Sequence, residues 1–119
     1  LWMLYSNPDS KIVTIDRNES QSKRMYTYAE EMGLPASTNI QLVVGDVDSY
    51  LDSGKLNPTE YDFFFIDCDK ILYPKVFDYL WKNSNPGSNL VFDNMLWHGR
   101  ILNPSSQKPS DMAVVTVWN

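Results

Sequence analysis

Four short apolar segments alternate with polar, helix-like segments along the chain. The apolar segments are "KIVTID" (11–16), "IQLVVGD" (40–46), "YDFFFID" (61–67) and "NLVFDN" (89–94). Short runs rich in β-branched and aromatic residues are typical of strands buried on both faces. Strands that alternate with helices form parallel sheets covered on both sides. The pattern therefore predicts an α/β protein with a parallel sheet between layers of helices.

The first helical segment covers residues 18–34 and has clear signals at both ends. Asn18 with Gln21 resembles a capping box, and Gly33 followed by Pro35 is a stop signal. Apolar residues recur every three or four positions, which predicts one stripe facing a core. That stripe consists of Met25, Tyr28, Ala29 and Met32.

Two further helices are predicted. Residues 47–56 form a short one. Pro74 is suited to the first turn of a longer one, which ends near Asn83. The residues of the longer helix that should face inward are Leu72, Val76, Tyr79 and Leu80. The tail "DMAVVTVWN" (111–119) has the composition of a strand.

Composition excludes several classes of protein. The 119 residues fit one domain, and a net charge of −5 without a basic cluster argues against a nucleic-acid partner. No apolar stretch approaches the length of a membrane span, and no basic-then-apolar leader opens the sequence. A single cysteine, Cys68, rules out an internal disulfide. These features predict a soluble, cytoplasmic protein with no membrane partner.

Each predicted strand ends in an acid at its carboxyl end. The four are Asp16, Asp46, Asp67 and Asp93. Ligands of open parallel sheets bind beyond the carboxyl ends of the strands, so acids along this edge favour a binding site. The alternative is that each acid caps the turn or helix that follows it. Both interpretations stay open for any single acid.

The polar clusters "DCDK" (67–70) and "DN" (93–94) are the main candidates for chemistry. If the strands before them are neighbours about 4.8 Å apart, Asp67, Asp93 and Asn94 can direct three oxygens at one point. Two carboxylates and an amide oxygen suit a hard divalent cation such as Mg²⁺. Lys70 could then take a proton from a hydroxyl bound there. The alternative for Lys70 is a surface lysine at the start of a helix.

Three other residues are weaker candidates. Cys68 as a nucleophile would need a nearby base, and a packed thiol is the favoured interpretation. His98 is disfavoured both as that base and as a metal ligand, because no second soft ligand accompanies it. Trp97 could form an aromatic substrate wall, although ordinary packing is the alternative.

The order of these motifs resembles a known family. "VTID", "GD", "FIDCDK…Y" and "PGSNLVFDNMLWHGRI" are similar to the metal-dependent class I O-methyltransferases of the caffeoyl-CoA and catechol type. The similarity runs from about residue 10 to 101. It implies a Rossmann-like fold and methyl transfer from S-adenosylmethionine to a small-molecule acceptor with a catechol-like or vicinal hydroxyl. Magnesium or another divalent cation would assist.

The resemblance also assigns roles to matching residues. Asp67, Asp93 and Asn94 match the metal ligands, and Lys70 matches the general base. Four residues match cofactor contacts: Asp16 at the ribose hydroxyls, Asp46 and Val47 at the adenine, and Asp69. Trp97 and His98 lie on the segment that contacts the acceptor. The tail at 111–119 is implied to begin a helix, against its composition.

Parts of the family pattern lie outside these 119 residues. The glycine-rich loop after the family's first strand is not in the sequence, and neither are its last strands. Residues 1–119 are therefore predicted to form a single partial class I methyltransferase domain. The family's first strand would lie between the "KIVTID" and "FFFID" strands, so a gap is predicted there.

Competing hypotheses follow from this partial match. A truncated, non-catalytic Rossmann-like remnant that acts as a binding or interaction module is the alternative to an enzyme. A nicotinamide dehydrogenase is disfavoured because the sequence contains no G-x-G-x-x-G motif. A homodimer is the candidate assembly, and the identity of the acceptor stays open.

Overall fold

The computed structural model describes residues 2–119, and the chain divides into two compact units. The first unit extends to Ser49 and the second begins at Tyr50. Each unit has its own pair of parallel strands. The predicted α/β class with parallel strands is confirmed, whereas the single domain stays a prediction.

The first unit is built on strands β1 (Ile12–Asp16) and β2 (Ile40–Val44). They pair in parallel, with Ile12 opposite Ile40 and Asp16 opposite Val44. The helices of this unit are α1 (Trp2–Ser6), α2 (Glu19–Glu31) and α3 (Ala36–Asn39). Helix α4 (Val47–Asp52) spans the point where the units divide. The core of the first unit is formed by Leu4, Ala29 and Ile40, with Ile12, Met25, Tyr26, Leu34 and Leu42 packed against it.

Helix α2 has the predicted end signals with one difference at its start. The Asn18 side chain accepts a hydrogen bond from the Gln21 N–H at 3.2 Å, as a cap should. The Asn18 N–H donates to Asp16 Oδ1 at 2.7 Å, so the box is not reciprocal. At the other end, Gly33 adopts a φ of +68° and donates its N–H to the Glu30 carbonyl. The predicted stop at Gly33 is confirmed.

The predicted inward stripe of α2 is correct in only half of its members. Ala29 is buried and Met25 is half-buried, whereas Tyr28 and Met32 are 53% and 45% exposed. Helix α2 ends at Glu31, so Met32 lies beyond the last helical turn. Tyr26 packs inward in place of Tyr28, and its hydroxyl donates to the Ile40 carbonyl. The buried face is therefore rotated from the predicted one.

The second unit contains strands β3 (Phe63–Ile66) and β4 (Asn89–Phe92), also paired in parallel. Phe63 lies opposite Asn89, and Ile66 lies opposite Phe92. The helices are α5 (Tyr73–Asn83) and α6 (Pro109–Trp118), and shorter 3₁₀ segments cover Pro58–Glu60, Lys70–Leu72 and Trp97–Leu102. The buried apolar residues of this unit are Leu51, Ile66, Tyr73, Val76, Leu80, Ala113 and Val114.

The inward face of α5 is largely as predicted. Val76 and Leu80 are buried, and Leu72 and Tyr79 are half-buried. The sequence pattern missed Tyr73, which is the first residue of α5 and is 0% exposed. Burial of a whole tyrosine requires partners for its hydroxyl, and these partners belong to the candidate site.

The tail forms helix α6, which confirms the family resemblance over the composition. Helix α6 packs against α5 and against the 70–72 segment, and it buries Ala113 and Val114. Tertiary packing of this kind overrides the strand propensity of valine and threonine.

The strands form two separate two-stranded ladders within residues 2–119, β1–β2 and β3–β4. The gap predicted between the "KIVTID" and "FFFID" strands stays a prediction. One face of the β3–β4 pair is exposed, with Phe63, Phe65 and Val91 at 44%, 53% and 40%. The predicted covering of both faces is therefore not seen for this pair within residues 2–119.

No helix in the part of the chain that the structure describes combines the length and apolar character needed to cross a membrane.

Candidate functional site

The carboxyl ends of β3 and β4 bring two of the predicted acids to neighbouring positions. Ile66 and Phe92 are register partners, and each is followed directly by an aspartate, Asp67 and Asp93. The Asp93 N–H donates to the Ile66 carbonyl at 2.9 Å, which continues the pairing one residue further. The condition on which the metal hypothesis depended, that these two strands are neighbours, is confirmed.

Asn94 turns the chain away from the end of β4. Its φ is +52°, a left-handed conformation that asparagine tolerates better than most residues. The Asn94 N–H donates to Asp93 Oδ1 at 2.7 Å, and the Asn94 carbonyl accepts from the Trp97 N–H at 2.8 Å. Asp93 therefore has a local turn role, as the capping alternative predicts.

The donor chemistry of these three residues fits a hard cation. Asp67, Asp93 and Asn94 offer only oxygen ligands, the type that Mg²⁺ prefers. Within residues 2–119, no three His, Cys, Asp or Glu side chains assemble into a metal-binding group. The predicted set differs in kind, because its third member is an amide.

Lys70 is buried beside this edge. Its exposure is 5%, although it opens a short 3₁₀ segment, so the surface-lysine alternative is wrong. The Lys70 Nζ lies 2.5 Å from the Tyr73 hydroxyl and 3.5 Å from Asp67 Oδ1. It also lies 5.7 Å from the centre of the Trp97 ring. The Lys70 amine is thus buried next to a carboxylate, a phenol and an indole.

The Tyr73 hydroxyl connects Lys70 to both strand ends, and the sequence pattern missed it. Its oxygen accepts from Lys70 and lies 2.8 Å from the Asp93 carbonyl and 3.2 Å from the Ile66 carbonyl. Because a phenol has one proton, it donates to one of these carbonyls at a time. Burial raises the pKa of Tyr73, and the Lys70 hydrogen bond opposes that shift. Tyr73 therefore remains a protonated donor at neutral pH.

Cys68 and Asp69 lie between these residues in the sequence. Cys68 is half-buried, and its thiol donates to the Asp69 carbonyl at 3.7 Å. Burial raises the pKa of the Cys68 thiol, which lowers its thiolate fraction and supports the packed-thiol interpretation. Asp69 is exposed, and its carbonyl accepts from the Leu72 N–H at 2.9 Å.

The segment after β4 has unusual backbone geometry. Trp97, His98 and Gly99 have φ values of +45°, +55° and +78°, and only the glycine adopts such a conformation without strain. The rings of Trp97 and His98 lie 5.6 Å apart, and His98 is exposed. The Trp97 indole donates to Asp111 Oδ1 at 3.0 Å, a partner that the sequence pattern did not suggest.

In the first unit, Asp16 and Asp46 also have local hydrogen bonds. Asp16 Oδ1 accepts from the Asn18 N–H at 2.7 Å, and Asp46 Oδ1 accepts from the Asp48 N–H at 2.9 Å. Asp46 additionally forms an ion pair of 3.7 Å with Arg17. Val47 is half-buried and begins α4. The capping interpretation thus accounts for one oxygen of each acid, and the binding roles stay predictions.

Comparison with known proteins defines the class. A sequence model of the O-methyltransferase family matches residues 3–119. The chain therefore belongs to the O-methyltransferase family, as the resemblance indicated.

Individual relatives agree with this assignment. The chain is 30% identical to tapetum-specific methyltransferase 1 of Arabidopsis thaliana over 106 residues, which are 87% of this chain and 44% of that protein. It is 25% identical to a catechol O-methyltransferase of Niastella koreensis over 114 residues, 92% of this chain and 50% of that protein. The chain spans about half the length of the curated relatives that it matches.

A solved structure confirms the fold. The O-methyltransferase TomG of Streptomyces achromogenes, involved in tomaymycin synthesis and solved in complex with SAM, superposes with a TM-score of 0.81 at 25% identity. The match covers 97% of this chain and 52% of TomG. The methyltransferase fold predicted from the motifs is thereby confirmed.

Proposed function

We propose that the protein carrying this chain transfers a methyl group from S-adenosylmethionine to the hydroxyl of a catechol-like or vicinal-diol small molecule. Family membership and the SAM complex of TomG support the methyl donor, and the relative named as a catechol O-methyltransferase supports the acceptor class. The proposed location is the cytoplasm, and a homodimer is the proposed assembly.

The observation that carries the proposal is the buried Lys70 beside the paired ends of β3 and β4. Asp67 and Asp93 follow register partners there, and Lys70 Nζ lies 3.5 Å from Asp67 Oδ1. We infer that Asp67, Asp93 and Asn94 hold a divalent cation at this edge. Such a cation, when bound, would lower the pKa of an acceptor hydroxyl and fix its orientation.

The reaction itself needs one proton acceptor and an aligned oxygen. In the proposal, Lys70 in its amine form takes the proton of the acceptor hydroxyl. The oxygen then attacks the methyl carbon, the carbon–sulfur bond breaks, and the products are a methyl ether and S-adenosylhomocysteine. Tyr73 holds the Lys70 nitrogen in place through the hydrogen bond of 2.5 Å. Trp97 and His98 are the proposed acceptor contacts.

The proposed donor contacts are assigned residue by residue from the family resemblance. Asp16 would accept hydrogen bonds from the ribose hydroxyls, and Asp46 and Val47 would contact the adenine. Asp69, which is exposed after β3, is a further proposed contact of the cofactor. Asp16 retains a carboxylate oxygen beyond the one that accepts from Asn18, so local capping and ligand binding are compatible there. At Asp46 the second oxygen forms the 3.7 Å ion pair with Arg17, and an adenine contact would share it.

A methyl-transfer assay of the complete protein tests the proposal. A panel of catechols and monophenols is offered with labelled S-adenosylmethionine, with and without chelator. The proposal expects transfer to catechols that chelator abolishes and added Mg²⁺ restores. Transfer unaffected by chelator would contradict the role of a metal ion. Transfer to monophenols at the same rate as to catechols would contradict the requirement for a vicinal hydroxyl.

The second candidate function is a non-catalytic binding module. It is the alternative to an enzyme that the sequence motifs left open. The same assay separates the two. A complete protein that binds S-adenosylmethionine in calorimetry but transfers no methyl group to any acceptor would favour the module.

A further inference from the structure

A buried carboxylate on α6 collects three donors from the segment between β4 and α6. Asp111 is 3% exposed. Its Oδ1 accepts from the Trp97 indole at 3.0 Å and lies 3.5 Å from Arg100 Nη1, and its Oδ2 accepts from the Ser105 N–H at 3.2 Å. An acid in the first turn of a helix is common, because its charge complements the helix dipole. Here these donors lie outside α6.

These bonds hold the two ends of the strained turn. Trp97 and His98 are non-glycine residues in the left-handed region, and such conformations persist only where the surroundings enforce them. Asp111 binds Trp97 at the start of this turn and Arg100 directly after it. The guanidinium of Arg100 also lies 5.7 Å from the centre of the Trp97 ring. The carboxylate thus joins the two residues that flank His98 and Gly99.

The indole held in this way also covers the buried lysine. Lys70 Nζ lies 5.7 Å from the centre of the Trp97 ring, within the range of a cation–π contact. The indole N–H is therefore bound to Asp111, while the centre of the ring lies near Lys70. Movement of Trp97 would change both the turn that carries His98 and the surroundings of Lys70.

We propose that Asp111 is a positioning residue that fixes the Trp97 indole, and through it the acceptor-contacting turn, against Lys70. The part of this inference that concerns the acceptor rests on the proposed function. The part that concerns the indole does not.

The first test measures the indole directly in the complete protein. Hydrogen exchange of the Trp97 indole N–H is followed by NMR and assigned by its loss in Trp97→Phe. In Asp111→Ala the exchange should become at least tenfold faster. Asp111→Asn should give an intermediate rate, because its amide oxygen can still accept from the indole. The control is Asp78→Ala, an exposed aspartate on α5, which should leave the rate unchanged.

The second test separates positioning from general destabilisation. In Asp111→Ala the KM for the catechol acceptor should rise at least tenfold, while the KM for S-adenosylmethionine stays within twofold. Trp97→Phe should raise the acceptor KM as well, and the double variant should be no worse than the more affected single variant. Non-additivity of this kind means that the two residues act through one contact.

Each outcome decides the matter. An unchanged indole exchange rate in Asp111→Ala overturns the proposal. Faster indole exchange in Asp111→Ala together with an unchanged KM for the acceptor overturns it as well. Fully additive effects of the two substitutions would also overturn it. If Asp111→Ala does not fold, Asp111→Asn and Trp97→Phe decide by the same criteria. If the wild type transfers no methyl group, the proposed function fails, and the exchange rates alone decide whether Asp111 fixes the indole.

Discussion

Removal of one oxygen, in Tyr73→Phe, tests the connection between Lys70 and the two strand ends. The ring, which lies 5.1 Å from that of Phe92, would keep its packing. The hydroxyl bond to the Asp93 carbonyl would be lost, and the buried Lys70 amine would lose its nearest acceptor. The substitution therefore isolates the hydrogen bonds from the apolar contacts.

The size of the effect follows from these two losses. A net hydrogen bond contributes about 0.5–1.5 kcal/mol, and a buried donor left without its partner costs about 1–3 kcal/mol more. The free energy of unfolding should therefore fall by about 1.5–4.5 kcal/mol. Asp67 offsets little of this, because its side chain is 55% exposed.

Tyr79→Phe is a matched control on the same helix. The Tyr79 hydroxyl donates to the Leu56 carbonyl at 3.0 Å and holds no buried amine. Its removal should cost only about 0.5–1.5 kcal/mol. Urea unfolding of both variants of the complete protein, at a constant slope m, gives the comparison. Equal destabilisation by the two substitutions would refute the role assigned to Tyr73.

Three further predictions concern the chemistry of the site. Lys70→Ala should lower kcat by a factor of about 10²–10⁴, the usual contribution of a general base. The control Lys82→Ala, at the end of α5, should leave kcat unchanged. Equal rates for the wild type and both variants would contradict the role of Lys70 as the base. Desolvation by burial would raise the pKa of Asp111, but hydrogen bonds from Ser105 and Trp97 and the charges of Arg100 and Lys108 together outweigh it, so this pKa is lower than its ordinary value of 3.8. The ionised Asp111 carboxylate therefore stabilises the folded state fully above about pH 4, and this contribution is lost as the pH falls through the lower folded pKa. Asp111→Asn should flatten the decline in melting temperature below about pH 4. An unchanged profile of melting temperature against pH would contradict this. Removal of divalent ions should lower the melting temperature of the wild type, and an unchanged value would count against a bound metal.

The strands and the main helices could be predicted because their signals are local. Apolar runs, the Asn18 cap and the Gly33 stop are legible in consecutive residues, and the structure has each of them. The tail was different. An apolar segment such as 111–119 fits a strand or a buried helix equally well, and only the family resemblance favoured the helix that is seen.

The candidate site was predictable only where residues follow the strands. The neighbouring positions of Asp67 and Asp93 follow from the topology of a parallel sheet. The partners of Tyr73 and Asp111 could not be predicted from this topology, because they are distant in the sequence. Tyr73 binds the Asp93 carbonyl, 20 residues away, and Asp111 binds the Trp97 indole, 14 residues away. A tyrosine three residues after Lys70 was the one available signal. Burial of Lys70 likewise depends on α5 and α6, and no pattern around "DCDK" reveals it.

The central claim is that Asp67, Asp93 and Asn94 hold one divalent cation. Titration of the complete protein with Mn²⁺, followed by electron paramagnetic resonance, measures this binding without any need for turnover. The account predicts one Mn²⁺ site per chain, with an affinity that Asp67→Asn and Asp93→Asn each lower roughly tenfold or more. Loss of a direct ligand should cost at least as much affinity as loss of a group that only orients a ligand. Asp78→Ala should bind as the wild type does. Wild-type protein that binds no Mn²⁺, or binds it equally well after either substitution, would contradict the account.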